Sequence, residues 1–384
     1  TVTSLTVGHT TPVSIASGKT LSGAITVTAG SIKLGEAGTL ASTVSMSGGT
    51  LDVDNSSTVS GALSQSGNAT IDVASGKTLT YSGGDLDVGA NTLSIEGAGT
   101  LSNSSDSALV LDEADSILDL TGSGTVSGPV KLESGTLKSS GSPTISGAIT
   151  QSDDATIEVS TDQTLTYSGA TVNVGASGLS ISGGGVLTNT NPIQLSDSGS
   201  QIILSGVTVN YIRTDADSLG VKVDNSSGVN EFVVGNVTPV SILPDESFSG
   251  GIGVYSNGHL QLNNTGTLSA NVTMQGKSLA SGTAGGKLEV QESMTFSGLL
   301  LQVDDHNGIK LVIADNKTLT YSGGQFVIDD HTFTLSGGGI LDNTNNFVIN
   351  SFIKICWVQI PNKWHSRRIV CILTPLSYVS RHIK

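Results

Sequence analysis

Two short acidic clusters are the sharpest chemical feature of this chain. Asp304-Asp305-His306 and Asp329-Asp330-His331 are DDH triplets 25 residues apart. Carboxylates stacked on one another repel unless a cation or a proton intervenes. If 25 residues make about one turn of a stacked structure, Asp304, Asp305, Asp329 and Asp330 would lie over one another. Such a set forms a weak hard-cation site, best suited to calcium. The plainer reading is two hydrated turns whose charges point apart. A second cluster is aromatic and cationic. The stretch 209–234 interrupts the surrounding pattern and carries Tyr211, Phe232 and Arg213, the one arginine among the first 350 residues. Aromatic rings and arginine commonly anchor protein partners. Tyr211, Arg213 and Phe232 are therefore candidate partner contacts, against the plainer reading of a linker.

Other motifs dissolve on inspection. GKT occurs at 18–20 and 76–78, and GKS at 276–278, but a phosphate loop needs a further glycine five positions earlier. Val13, Ile71 and Asn271 stand there, so these are turn residues. GGIGVYSNG at 250–258 resembles a calcium-binding β-roll nonapeptide, but Tyr255 replaces the liganding aspartate and no tandem copy follows. Asp153-Asp154 is a carboxylate pair, whereas the corresponding positions of an earlier repeat are Gly67-Asn68, which points to a solvated turn. Sugar-cleaving sites combine carboxylates with basic side chains. A single arginine in 350 residues gives little material for one, so no catalytic residue is assigned and the protein is expected not to be an enzyme. Thr-x-Thr recurs, as at Thr78/Thr80 and Thr164/Thr166. An ice-binding face would need it on successive turns, and in the sequence the copies lie far apart. Outward threonine is also ordinary strand composition.

Composition divides the chain. The 384 residues carry 17 Lys+Arg against 32 Asp+Glu, a net −15. Residues 351–384 hold six of the basic residues, both cysteines and both tryptophans, with no acid and no glycine. They read as a basic tail of out-of-frame or non-native origin. The first 350 residues are left at −21, cysteine-free, with all 49 glycines. That charge repels phosphate and speaks against nucleic acid as a partner, while favouring solubility and a monomer. Freedom from cysteine suits export. No run of 18 apolar residues predicts a membrane-spanning helix. The chain begins at Thr1 without a signal peptide and is expected to be a piece of something longer.

Self-similarity shows what must position these residues. Residues 58–103 and 144–189 are identical at 26 of 46 aligned positions, an offset of 86. TLTYSG returns at 318–323, making Tyr81, Tyr167 and Tyr321 equivalent. TPVSI opens both 11–27 and 238–254. The repeats imply a module over 1–230, containing units at about 37–122 and 123–208, and a shorter module over 231–350. Segments such as ATIDV (69–73) alternate apolar and polar residues and end in Gly/Ser/Asn turns, which marks short strands. An 86-residue unit divides into about four coils of about 21 residues. The fold class expected is all-β, a right-handed parallel β-helix of roughly 16 rungs and roughly 80 Å. The alternative is tandem immunoglobulin-like sandwiches. Against it stand the missing tryptophan, the 154-residue spacing from Tyr167 to Tyr321, and strands that come too short and too often.

The recurrent SGKTL (17–21, 75–79), GAGTL (97–101) and SGGGxLxN (182–189, 336–343) phrases resemble repeat regions of large bacterial surface proteins. These are autotransporter passengers and filamentous-haemagglutinin-like adhesins. The resemblance implies an exported, cell-surface β-helix acting as a stalk or adhesin, with a surface glycan or protein as partner. A carbohydrate-binding or carbohydrate-active β-helix is the second function to weigh.

Overall fold

The computed structural model describes residues 4–35, 37–197, 199–214, 220–223, 228–234, 240–242, 251–254, 258–263, 265–275, 285–303, 309–324, 326–328, 333–343 and 347–349. The tail 351–384 and both DDH triplets lie outside the described residues. The described chain is all-β, without a helix, and its parallel strands stack in about 13 turns as a β-solenoid. That is fewer than the 16 expected, because some turns are long: Leu260 pairs with Leu288. The chain forms two compact units, Thr1–Ile193 and Gln194–Lys384. The 230/231 junction suggested by the repeats lies within the strand Gly228–Val234 of the second unit.

In the first unit, 27 strands from Ser4 to Asn189 form nine coils of three. Coil 1 is Ser4–Val7, Val13–Ile15 and Thr20–Leu21. Coil 4 is Leu63–Gln65, Ala69–Val73 and Thr78–Tyr81; coil 8 is Ile149–Gln151, Ala155–Val159 and Thr164–Tyr167. Like strands of successive coils pair in parallel and so build three faces. Period-2 alternation sends one set of side chains inward: Ala69, Ile71 and Val73 are buried while Thr70 and Asp72 lie outward. Ile32, Leu51, Ile71 and Ile95 then stack coil upon coil. Each fully buried aliphatic side chain contributes about 1.5–3 kcal/mol of transfer free energy. A single coil has no opposing layer, so this gain exists only in the stack.

The 86-residue repeat is four coils, as the arithmetic requires, but pairing does not simply repeat with it. By sequence Ile71 corresponds to Ile157. The ladder carries Ile71 through Ile95, Leu120 and Ser139 to Val159. Register has advanced by two residues. An even slip keeps every inward residue inward, where an odd slip would turn the core out.

Turns between the second and third faces need a left-handed residue. Gly18 (φ 63°), Gly76 (φ 70°), Asp162 (φ 62°) and Asn316 (φ 61°) occupy the same position of four such turns. In each, the amide of the next residue bonds the carbonyl two residues before the left-handed one, as Lys19 N–H does to Ala16. The GKT phrases at 18 and 76 are thus turns. Glycine, aspartate and asparagine are the residues that tolerate this conformation.

In the second unit, Val240–Ile242, His259–Leu262, Lys287–Val290, Ile309–Ile313 and Phe333–Ser336 form one face. Thr267–Leu268, Met294–Phe296, Thr318–Tyr321 and Ile340–Asn343 form another. Thr208–Thr214, Gly228–Val234, Gly251–Val254, Asn271–Gln275 and Leu300–Val303 follow one another in a third.

Candidate functional site

Asp304, Asp305, Asp329 and Asp330 lie outside the described residues. Tyr211 and Arg213 are both in Thr208–Thr214, two residues apart and partly exposed on its outer side. Phe232 is different. It pairs with Ile212 and is fully buried, so its ring packs in the core and is not presented to a partner. The seven-residue strands Thr208–Thr214 and Gly228–Val234, at the two ends of 209–234, pair in parallel, a structural role that the broken sequence pattern hides. Asp153-Asp154 is the exposed turn expected. Asp154 accepts the Gly178 N–H at 2.6 Å, as Asn68 accepts the Thr92 N–H at 2.9 Å in the earlier repeat.

The tyrosines of the repeat do internal work. In most coils of the first unit the amide that opens the first strand bonds a carbonyl of the following coil. Val44 bonds Ala62, Leu86 bonds Ala108, and Val130 bonds Ala148. At coils 4 and 8 that ladder stops, and the first face is divided into separate four-stranded sheets. There Leu63 N–H donates to the Tyr81 hydroxyl at 3.2 Å, and Ile149 N–H to Tyr167 at 3.2 Å. In the second unit Leu300 N–H donates to Tyr321 at 3.2 Å. Burial pushes all three phenols above their ordinary pKa, against the backbone hydrogen bond, which favours the anion. Each tyrosine pairs with an asparagine of the next coil: Tyr81 with Asn103, Tyr167 with Asn189, Tyr321 with Asn343. The Asn103 amide donates to the Ser107 and Pro129 carbonyls.

Surface chemistry is sorted by face. The second face of the first unit carries charge. Lys33, Asp52, Asp72 and Glu96 stack in register, and further along Asp119, Lys138 and Glu158 do the same. Lys33 bridges Asp52 at 3.5 Å and also pairs with Asp54. Burial and then the neighbouring Asp54 carboxylate push Asp52 above the usual carboxylate range, more than Lys33 pulls it down. In the second unit Glu289 receives Lys287 Nζ at 2.9 Å and lies 2.6 Å from His259 Nε2. Burial alone would push Glu289 up, but the bonds from Lys287 and His259 outweigh it and hold the carboxyl below its ordinary value.

The third face of the first unit is uncharged and hydroxylated. Thr78, Thr100, Thr125, Thr144, Thr166 and Thr188 stand in one row over coils 4 to 9. Beside it runs Thr80, Ser102, Ser127, Ser146, Ser168 and Thr190, joined coil to coil by backbone bonds such as Ser127 N–H to Leu101 and Ser146 N–H to Val126. All are partly or fully exposed, and their hydroxyls make no hydrogen bond among the described residues. Thr-x-Ser/Thr therefore falls on six successive coils, where the sequence suggested isolated copies. What hides the pattern is coil length: Leu79 pairs with Leu101, Leu101 with Val126 and Val126 with Ile145. No fixed period exists along the chain, and only the ladder aligns the hydroxyls.

No family model matches the sequence, and no curated protein or solved structure matches it.

Proposed function

We propose that the protein is a non-enzymatic structural or adhesive repeat segment of a large bacterial surface protein, exported and displayed, with a glycan or protein of a host or neighbouring cell as partner. The observation that carries this reading is that one sequence repeat equals four whole coils with inward parity kept. Such a stack can be lengthened by duplication without redesigning a core, which suits a protein whose extent is its use. The absence of cysteine from the first 350 residues fits an oxidising exterior. Outward Tyr211 and Arg213 are the side chains best suited to anchor a partner.

The test is a bead carrying the 384-residue chain, presented to cultured cells and to arrays of glycans and matrix proteins. Saturable adhesion, weakened by Tyr211→Ala with Arg213→Ala, is expected. Release of reducing ends from polysaccharides with multiple turnovers would overturn the reading and make this a carbohydrate-active β-helix.

A further inference from the structure

We propose that the hydroxyl face of the first unit binds ice. Neighbouring strands lie about 4.8 Å apart, and alternate residues of a parallel strand about 6.6 Å apart. A row of six threonines and a second row of two threonines and four serines, most of the second lying just past the strand ends, thus form a hydroxyl mesh about 24 Å long. Both repeats of that mesh are close to those of a prism plane of hexagonal ice. A regular array of threonine methyls and hydroxyls can hold waters at lattice positions, and the growing crystal then incorporates them.

Three further observations point the same way. The hydroxyls of this array make no hydrogen bond among the described residues. Serine and threonine hydroxyls elsewhere do turn back to the backbone, as Thr28 does to Val7 and Ser116 to Gly89. Charge is kept off the array and lies on the other two faces, as Asp52, Asp72 and Glu96 on the second and Asp87 and Lys131 on the first. Charged side chains hold disordered hydration and would spoil a lattice match. The second unit, taken by itself, carries a shorter threonine row, beside which the Ser297 hydroxyl turns back to the Leu268 carbonyl. Thr267, Thr295 and Thr320 stack on three successive coils, each followed two residues on by a serine, and Asp342 comes next in the row.

Other partners fit less well. The face has no aromatic ring to stack a sugar and no cation to hold a phosphate. The inference is independent of the adhesive reading, since ice binding needs no surface partner and either can fail alone.

The experiment uses the full chain. Slow freezing from dilute solution should concentrate the protein in the ice fraction, and a seeded crystal should show faceting and a gap between melting and freezing points. Thr125→Tyr with Thr144→Tyr, in the middle of the mesh, should reduce partition and freezing gap to the level of a non-binding control protein. Thr26→Tyr, on the first face, should leave both unchanged. Circular dichroism melts establish that each variant is folded. A folded wild-type chain that is excluded from ice overturns the proposal. So does enrichment that survives the double substitution, or that is lost equally with Thr26→Tyr. Sedimentation showing self-association through this face, or a glycan bound there without ice activity, would reassign the face.

Discussion

Changing Tyr81 to Phe deletes one oxygen and leaves the ring in place. The ring is 1% exposed, and its hydroxyl accepts the buried Leu63 N–H at 3.2 Å. In coils without a tyrosine the same amide reaches a carbonyl of the next coil. At coil 4 that ladder has stopped, so Tyr81→Phe strands a buried donor. The cost of an unsatisfied buried amide is about 1–3 kcal/mol. Tyr167→Phe should cost at least as much, because Ile149 has the same geometry and the Tyr167 hydroxyl also donates to the Ala170 carbonyl. The two sites are four coils apart, about 19 Å, so their costs should add to within about 0.5 kcal/mol. Urea unfolding followed by far-ultraviolet circular dichroism reads this directly. Titration supplies a second signature. The folded-state phenol pKa is raised above the unfolded value of about 10. Between the two values the folded state holds more protons, so stability is complete below about pH 10 and falls as pH rises towards the folded pKa. The double Phe variant should therefore be less stable at neutral pH yet lose less further stability at alkaline pH. An unchanged urea midpoint in both single variants would refute the reasoning, since the amides would then have another partner.

Gly169→Ala should destabilise the first unit by about 1–3 kcal/mol through overpacking. A β-carbon there would lie 2.2 Å from the Gly147 carbonyl oxygen, and a thermal melt would show the loss. Gly76→Ala meets open space but holds φ at 70°, so its cost is conformational, about 1–2 kcal/mol, and Gly76→Asn should recover most of it. Glu289 is held below its ordinary pKa, so its pairing stabilises above the unfolded pKa of about 4.3 and is lost as pH falls through the folded value. Glu289→Gln should flatten that acid limb for the second unit, as read by pH-dependent urea midpoints.

Much of the architecture was legible because it is local. ATIDV and TLDV carry their inward and outward faces in the letters themselves, and the 86-residue identity fixes a whole number of coils once strand length is known. The GKT phrases read correctly as turns, since the missing glycine at 13 and 71 removes the phosphate loop. What failed to show was whatever depends on register. Phe232 looks like an exposed anchor in a broken pattern, yet pairing with Ile212 turns it inward. The role of Tyr81 is equally hidden. A tyrosine in a strand reads as an apolar filler, and only the interrupted ladder beside Leu63 shows why a hydroxyl is wanted there.

The hydroxyl rows carry this point further. Thr125 and Thr144 are 19 residues apart, Thr100 and Thr125 are 25, and Thr144 and Thr166 are 22. A search for a fixed period of 22 residues would join Thr78 to Thr100 and Thr144 to Thr188 but lose the row at Thr125. Loops of different length leave the ladder at the corners and return to it in register, so coil length is free to vary while the outward face stays regular. Strand propensity alone explains why threonine is tolerated at each of these positions. It does not explain why the neighbouring second face, also built from short parallel strands, carries lysine, aspartate and glutamate outward while this one carries none. Propensity acts equally on both faces. The difference between them is what the ice-binding proposal would account for, and Thr125→Lys should leave the circular dichroism melt unchanged while reducing partition into ice.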